Sequence, residues 1–519
     1  MEKIKNDKSN SSLVRNSALN TLYHILSVVL PIFTAPYVSR VLMADGIGVS
    51  SYTHSLVSYF TIVAALGTVS YGTMKISKQR KDKASYSKAF WEIELLTIIS
   101  SLICFASWIV LAFLYVEYKI YLLVLSFNIL AVMFDISWLY SGLEKFHYTI
   151  SINSLFKIAC VVCVFVFIKN SDDLFIYIMI SSLSVLLGNL SMWLFLPKTI
   201  CKTKIDFGNL KHHFKQTLVF FAPTIATSIY TILDKTLIGV LIPGTITIVD
   251  SEGNEIIKKI AELENGYYEQ ATKLINIIKS VSFVGIIGVM TSRASYLYEE
   301  NDQQQVKKLL HTTFNIISFL TIGAGFGISA IATTLIPTFF GTGYDSTISI
   351  IYILSCIPFI ISISNILGGM YYTPSGRRKQ SSLFLIIGAS INLLLNIPLI
   401  LLLKAKGAAI ASIIAETFIT LLYVINCKKM LSFKEIFSYT WKKMVAGFIM
   451  FTILFCFTFF FHNSINNFLI IPLQLFAGLL IYCLVLLILR DKSLNELILF
   501  FHKKYSKRKE EVCQQNDEH

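Results

Sequence analysis

The 519-residue chain is 55% hydrophobic and 15% charged, and its 45 Lys and Arg outnumber 31 Asp and Glu to give a formal net charge of +14. So apolar a composition excludes a disordered chain, and the apolar residues fall in runs too long for the buried strands of a soluble domain. Such an excess of cations would suggest nucleic acid in a soluble protein, but here it gathers between the apolar runs, where it reports membrane topology.

In chain order, about fourteen apolar segments occur, at 17–40, 51–73, 91–115, 120–141, 150–168, 174–197, 216–242, 270–292, 312–340, 347–371, 381–403, 407–427, 444–461 and 468–489. Most approach or exceed the roughly 20 residues that carry a helix across a hydrocarbon core of about 30 Å. In lipid the backbone must satisfy its own hydrogen bonds, and the alternating pattern of a membrane barrel is missing, so these segments are predicted helices. The fold class expected is an all-α integral membrane protein.

The first segment carries Asn16, Asn20, His24, Ser27, Pro31 and Thr34 at intervals of three or four, which places them on one helix face. That stripe suits either a water-filled cavity or polar packing between helices. Arg40, at its outer end, suits an interfacial anchor or a ligand contact. A basic stretch with Lys75, Lys78, Arg80, Lys81 and Lys83 follows the second segment. Asp135 lies in the inner half of the fourth segment, and Lys157 near the inner start of the fifth. Cys160 and Cys163 form a C-x-x-C with no His or carboxylate beside it, which argues against a redox or metal role.

The seventh segment repeats the polar pattern with Thr224, Thr227, Ser228, Thr231 and Lys235, and its Asp234 and Lys235 lie about 27 Å along the axis from Gln216. Next comes Thr245-Ile246-Thr247-Ile248-Val249 with a Gly-containing turn, which reads as a small hairpin in the largest outer loop. The eighth segment carries Lys273, Asn276, Lys279 and Ser280. A cation inside the bilayer costs several kcal/mol unless it meets water, a carboxylate or an anionic ligand, so Lys235, Lys273 and Lys279 argue for an electropositive aqueous cleft. Pairing of Lys235 with a carboxylate and snorkelling of Lys273 remain open at this stage. Gly323, Gly325 and Gly327 suit close helix packing, and Glu416 falls midway along the twelfth segment.

Most of the 45 cations fall in loops on one side, leaving Arg40, Lys119, Lys169, Lys258, Lys259, Lys404 and Lys406 on the other. The positive-inside rule then places both termini in the cytoplasm. Long basic loops at 198–215 and 428–443 divide the chain into an N-terminal six-helix lobe at 1–200, a second lobe at 201–430, a helix pair at 431–490 and a basic tail at 491–519. Pro31 and Pro223 interrupt the first helix of each lobe, a pattern that points to a transporter's central site.

Several stretches together resemble one family. They are Pro36-Tyr37-Val38-Ser39-Arg40-Val41-Leu42 with Gly46-Ile47-Gly48, Trp138-Leu139-Tyr140-Ser141-Gly142, Leu233-Asp234-Lys235-Thr236-Leu237-Ile238-Gly239, Gly266-Tyr267-Tyr268-Glu269-Gln270-Ala271, and Gly407-Ala408-Ala409-Ile410-Ala411 leading to Glu416. The chain resembles the bacterial polysaccharide-unit exporters, the lipid-linked oligosaccharide flippases of the multidrug, oligosaccharidyl-lipid and polysaccharide exporter superfamily. Met43-Ala44-Asp45 departs from the family's usual Gly-Pro-Glu, and Lys75 stands where Arg is common.

The resemblance implies two six-helix bundles in a V around a central cavity, with a terminal helix pair, in the bacterial cytoplasmic membrane. It implies a flippase, not an enzyme, that moves oligosaccharide units on undecaprenyl diphosphate from the inner to the outer leaflet by alternating access, for capsule or other surface polysaccharide. Arg40, Lys235, Lys273 and Lys279 would hold the diphosphate, with Asn16, Asn20, Thr227 and Thr231 nearer the glycan. Asp135, Glu416 and Asp234 are the ion-coupling candidates, with protons, sodium ions or membrane potential as the drive and no cofactor or metal expected. The implied partners are the lipid-linked oligosaccharide, membrane lipids, a polysaccharide polymerase and glycosyltransferases, and no nucleic acid. A lipid II flippase shares the anionic carrier. A multidrug exporter would favour an acidic, aromatic cavity, and a polytopic glycosyltransferase or polymerase would need catalytic groups that the outer loop at 243–268 lacks.

Overall fold

A computed structural model describes residues 2–201, 203, 205–249, 255–461, 467–491 and 493, the side chains of 2–29, 222–224, 226–231 and a few others excepted. The chain separates into two compact units, 1–269 and 270–519.

The first unit contains α1 (Glu2–Ala65), α2 (Thr68–Gln79), α3 (Lys83–Leu114), α4 (Lys119–Met133), α5 (Ser137–Gly142), α6 (Phe146–Phe167), α7 (Leu174–Met192), α8 (Leu196–Thr199) and α9 (Phe207–Leu241). A hairpin of β1 (Thr245–Val249) and β2 (Glu255–Lys259) then leads into α10 (Ile260–Lys279), which crosses into the second unit. The strands pair antiparallel from Thr245 opposite Lys259 to Val249 opposite Glu255, the hairpin read from the sequence. The second unit continues with α11 (Gly285–Glu299), α12 (Gln303–Phe340), α13 (Asp345–Leu354), α14 (Ile357–Leu367), α15 (Arg378–Leu403), α16 (Ala405–Asn426), α17 (Phe433–Phe461) and α18 (Asn467–Ile488).

Helix starts follow local chemistry. Asp82, Asp206 and Asp302 precede α3, α9 and α12, and their carboxylates accept from the backbone N–H of Ala84 (3.0 Å), Gly208 (3.0 Å) and Gln305 (2.9 Å). Each satisfies a donor that has no partner within the first helical turn. Among the described residues eleven helices are long and apolar enough to span a membrane, or twelve if a pair bent by 40° around Phe283–Gly285 counts as one. The difference from about fourteen segments has two sources. Segment 17–40 and most of segment 51–73 are joined in α1, where a single residue, Met43 (φ 58°, ψ 178°), makes the kink in place of the expected loop; the end of the second segment lies in α2. Segment 216–242 lies in α9, whose middle side chains are outside the description.

The boundary at 269 differs from the lobe boundary at 200 suggested by the basic loops. Helix α9 packs on α1, α2 and α3, and the hairpin after it is fastened by Lys258 Nζ to Asp45 at 2.6 Å and by Lys259 to Glu117. Packing and ion pairs therefore attach this stretch to the helices that precede it.

In the first unit Trp108 is fully buried and its Nε1 donates to the Leu122 carbonyl at 2.8 Å, while Phe90 stacks on buried Trp138 with centroids 5.4 Å apart. In the second, α17 and α18 pack along α12. Lys443 on α17 is fully buried and donates to Asn315, to Ser318 Oγ at 2.9 Å and to the Tyr439 carbonyl at 2.8 Å. Many outward apolar side chains, such as Ile103 and Leu402, stay exposed, as lipid-facing residues do.

The Gly46-Ile47-Gly48 and Gly266 motifs meet at a close crossing of α1 and α10. A Cβ on Gly48 would lie 1.7 Å from the Glu262 carbonyl oxygen, and one on Gly266 would lie 1.9 Å from the Ala44 carbonyl oxygen. Because the opposing atoms are backbone, neither contact relaxes by a rotamer change. Gly48→Val is expected to cost more than about 3 kcal/mol, beyond ordinary overpacking, and to abolish the monodisperse peak of detergent-extracted protein on size exclusion. A normal peak and unchanged thermal midpoint would refute the crossing.

Candidate functional site

Charges inside the spans fall into separate groups. In the first unit, at the end of α9 nearest the hairpin, Lys235 Nζ lies 2.5 Å from the Glu269 carboxylate on α10, and Ser51 Oγ on α1 donates to the same carboxylate at 2.8 Å. Tyr268 donates to the buried Asp234 carboxylate, and Asn265 donates to the Lys235 carbonyl at 2.9 Å. Thr236 shares hydrogen bonds with Ser55 (2.9 Å) and Tyr59 (3.1 Å). The sequence places Asp234 and Lys235 side by side because successive helical residues point about 100° apart: one reaches Tyr268, the other Glu269. Lys235 is thus an ion-paired cation, about a quarter exposed. Arg40 on α1 is exposed.

Deeper in this unit is a carboxylate that reading the sequence missed. Glu94 on α3 is fully buried, and neither of its oxygens has a hydrogen-bond partner among the described residues. The charge that acts on it is that of Asp135. Asp135 sits where the fourth span breaks between α4 and α5, and it accepts from the Ser137 N–H at 2.9 Å. The break keeps its other polar groups satisfied: Trp193 Nε1 donates to the Phe134 carbonyl at 2.9 Å and Asn189 to that of Ala131 at 2.8 Å. An isolated anion in such a setting costs several kcal/mol. Next to it, Glu92 accepts from buried His213 at 2.9 Å, and the other imidazole nitrogen meets the Tyr71 hydroxyl at 2.7 Å. Glu92 and Glu94 lie near the start of a long apolar helix, where carboxylates resemble the tail of the preceding polar loop. Their distance beyond Lys83 and Lys88 is the one signal in the sequence that set them apart.

In the second unit, Lys279 is the last residue of α10, half-buried, and a single π-helical turn, Ser280–Val284, follows it. The charge that reaches it is that of Glu416, a buried carboxylate on α16. Lys273, also half-buried, lies earlier on α10. Lys443, one residue before segment 444–461, is the buried cation that the sequence reading left in a loop. The side chains of Asn16, Asn20, Thr227 and Thr231 lie outside the described residues. The structure therefore brings Lys235 to Glu269 and Asp234 to Tyr268, and it leaves Glu94 within the field of Asp135 and Lys279 within the field of Glu416.

Comparison with known proteins gives the chain a family and a fold. A family described as "Polysaccharide biosynthesis protein" matches residues 13–292, more than half of the chain. The chain belongs to that family. It is 25% identical over 430 residues to a "Putative O-antigen transporter" of Escherichia coli (strain K12), covering 80% of this chain and 98% of that protein. It is 24% identical over 238 residues to a "Probable low-salt glycan biosynthesis flippase Agl15" of Haloferax volcanii, covering 45% of this chain and 49% of that protein. Among solved structures, "Lipid II flippase MurJ, inward closed conformation" superposes with a TM-score of 0.64 at 17% identity, covering 92% of this chain and 99% of that one. The family member described here is thus a multi-pass membrane protein with that transporter's fold.

If Glu94 is protonated, an amide of the same shape replaces it at little cost, whereas a cation does not. Glu94→Gln is expected to change the thermal midpoint by less than about 1 kcal/mol equivalent, and Glu94→Lys to lower it by the several kcal/mol of an unpaired buried charge. A Glu94→Gln variant as unstable as Glu94→Lys would show that the carboxylate is ionised and paired.

Proposed function

We propose that this protein is a flippase for oligosaccharides carried on a lipid diphosphate, and that undecaprenyl diphosphate is the carrier. The observation that carries the reading is Lys279, a half-buried cation at a helix break in an apolar span, within the field of buried Glu416. A carboxylate whose field reaches a cation in an apolar surrounding lowers the cost of keeping that cation charged. An arriving diphosphate gives Lys279 a direct counter-charge. At Lys235, which is paired with Glu269, the diphosphate exchanges with the carboxylate, and the displaced carboxylate is left to take up a proton or another cation. Arg40 and Lys273 add positive charge, and Asn16, Asn20, Thr227 and Thr231 meet sugar hydroxyls. Asp135, Asp234 and Glu416 are the groups for ion coupling, and buried Glu94 is added to them.

Family membership, the named transporter and flippase relatives and the transporter fold all support this reading. Lysines inside the spans oppose a multidrug exporter that takes organic cations. Assembly of a capsule or related surface polysaccharide, with its polymerase and glycosyltransferases as partners, is the setting proposed. The proposed topology puts both termini in the cytoplasm of a bacterial plasma membrane, with the hairpin outside.

Two measurements test these statements. In proteoliposomes with a fluorescent lipid-diphosphate glycan, Lys279→Ala is expected to slow flipping more than about tenfold, the loss of one charge-assisted contact, while membrane levels stay normal. The double variant Lys235→Ala with Glu269→Ala removes a pair without leaving an orphan charge and is expected to slow flipping comparably. Full activity in both would refute the cation mechanism. For topology, a cysteine replacing Thr247 in an otherwise cysteine-free chain is expected to react with an impermeant maleimide on intact cells, and one replacing Lys428 is not; the reverse pattern would invert the orientation.

A further inference from the structure

At one end of the second unit a cavity of about 830 Å³ opens between the start of α12, the turn before α15, the end of α16 and the start of α17. Four cations line it: Lys307, Lys308, Arg377 and Lys429. No carboxylate lines it among the described residues. Glu435 pairs with Lys307 at 3.3 Å and accepts from Ser432 at 2.7 and 2.8 Å, and Glu299, Glu300 and Asp302 lie in the turn between the lining residues Tyr298 and Gln303, where Asp302 is taken up by Gln305. The lining itself carries positive charge alone.

The rest of the lining is built and not merely basic. His311 is fixed at both nitrogens: Nε2 donates to the Met430 carbonyl at 2.8 Å, and Nδ1 meets the Tyr439 hydroxyl at 3.2 Å. Arg377 donates to Tyr371 at 2.9 Å and is held over that ring, its guanidinium carbon 5.5 Å from the centroid. Tyr298 lines the cavity with a buried hydroxyl that has no hydrogen-bond partner among the described residues, an orphan donor beside several cations. Donor-rich, cation-rich and, among the described residues, lined by no carboxylate, the pocket matches an oxyanion with several oxygens.

Its position narrows the source. On α17, Phe433, Phe437 and Trp441 are exposed next to pocket-lining Tyr439. Exposed aromatics beside lysines at helix ends mark the membrane interface. Tyr298 is also about 28 Å along the helix path from Lys279 at 1.5 Å per residue, too far for one phosphate to serve both.

We propose that this pocket is a second anion site, which takes a phosphate group at the membrane interface, with a lipid headgroup as the favoured bearer. The proposal stands whether or not the chain is a flippase, because it concerns equilibrium binding to the purified protein. Native mass spectrometry of the full chain is the test, after incubation with mixed micelles of dioleoyl phosphatidylglycerol and dioleoyl phosphatidylcholine, with thermal shift in sodium pyrophosphate as a second arm. Retention of phosphatidylglycerol over phosphatidylcholine by about tenfold is expected, the scale of one desolvated charge pair. Arg377→Gln with Lys429→Gln, both exposed residues, should reduce that preference severalfold, and Tyr298→Phe should reduce it partly. Lys78→Gln with Lys81→Gln, on the first unit, should leave it intact. A pyrophosphate-induced thermal shift that the pocket variant loses, without lipid preference, would support the site and assign it to free phosphate. Undiminished phosphatidylglycerol preference in the pocket variant, or no response of the wild-type chain to either probe, would overturn it.

Discussion

Polar groups inside an apolar solvent must find partners within the protein, and that requirement organises both units. Hydrocarbon offers neither hydrogen bonds nor counter-ions, so a broken helix or a buried cation persists only where neighbouring side chains answer it. The break around Asp135 shows the backbone side of the requirement, with Trp193 and Asn189 capping carbonyls that the missing turn would have bonded. Lys235 and Lys443 show the charge side in two ways. The first is answered by a carboxylate, the second by neutral oxygens of Asn315, Ser318 and a main-chain carbonyl. An ionic partner can be exchanged for a substrate anion. Three converging oxygens from adjacent turns serve better as a fixed clamp between α12 and α17.

How much of this was legible in the sequence depended on whether the signal was local. The spanning helices and the hairpin at 245–259 could be read, because apolar length and strand–turn patterning are properties of contiguous residues. The kink at Met43 could not, since no glycine or proline occupies the residue that takes the positive φ. Its apolar neighbours on both sides suggested two helices with a loop between, where the chain makes one bent helix. The conspicuous intramembrane lysines were recognisable as residues needing an answer, but the identity of the answer was a long-range fact: Glu269, the partner of Lys235, is 34 residues away from it, and Glu416, whose field reaches Lys279, is 137 away. Glu94 went unread because it stands close to a polar loop, and its isolation is visible only after α3 is packed.

The motifs quoted for the family resemblance take on distinct physical meanings in the fold. Gly48 and Gly266 mark a backbone-to-backbone crossing, Trp138 a stacked core aromatic, and Asp234-Lys235 a pair of charges with separate partners. Asp45, which departs from the usual family residue, retains a carboxylate and uses it to hold Lys258 of the hairpin. Conserving a motif's chemistry therefore does not require conserving its letters, provided that the group which closes the contact survives.

The π-helical turn at Ser280–Val284 carries a consequence for comparing this chain with its relatives. Such a turn is an α-helix that has accommodated one extra residue. Upstream and downstream of it the helix surfaces keep their own phase, and the surplus residue is absorbed in the bulge. A relative one residue shorter here would have a straighter helix with Lys279 presented on a different azimuth relative to α11. In an alignment, a single-residue gap at this place would therefore mark a change in how the cation is aimed, and rigid pairing of columns across it would assign the wrong neighbours to every residue of the following turn.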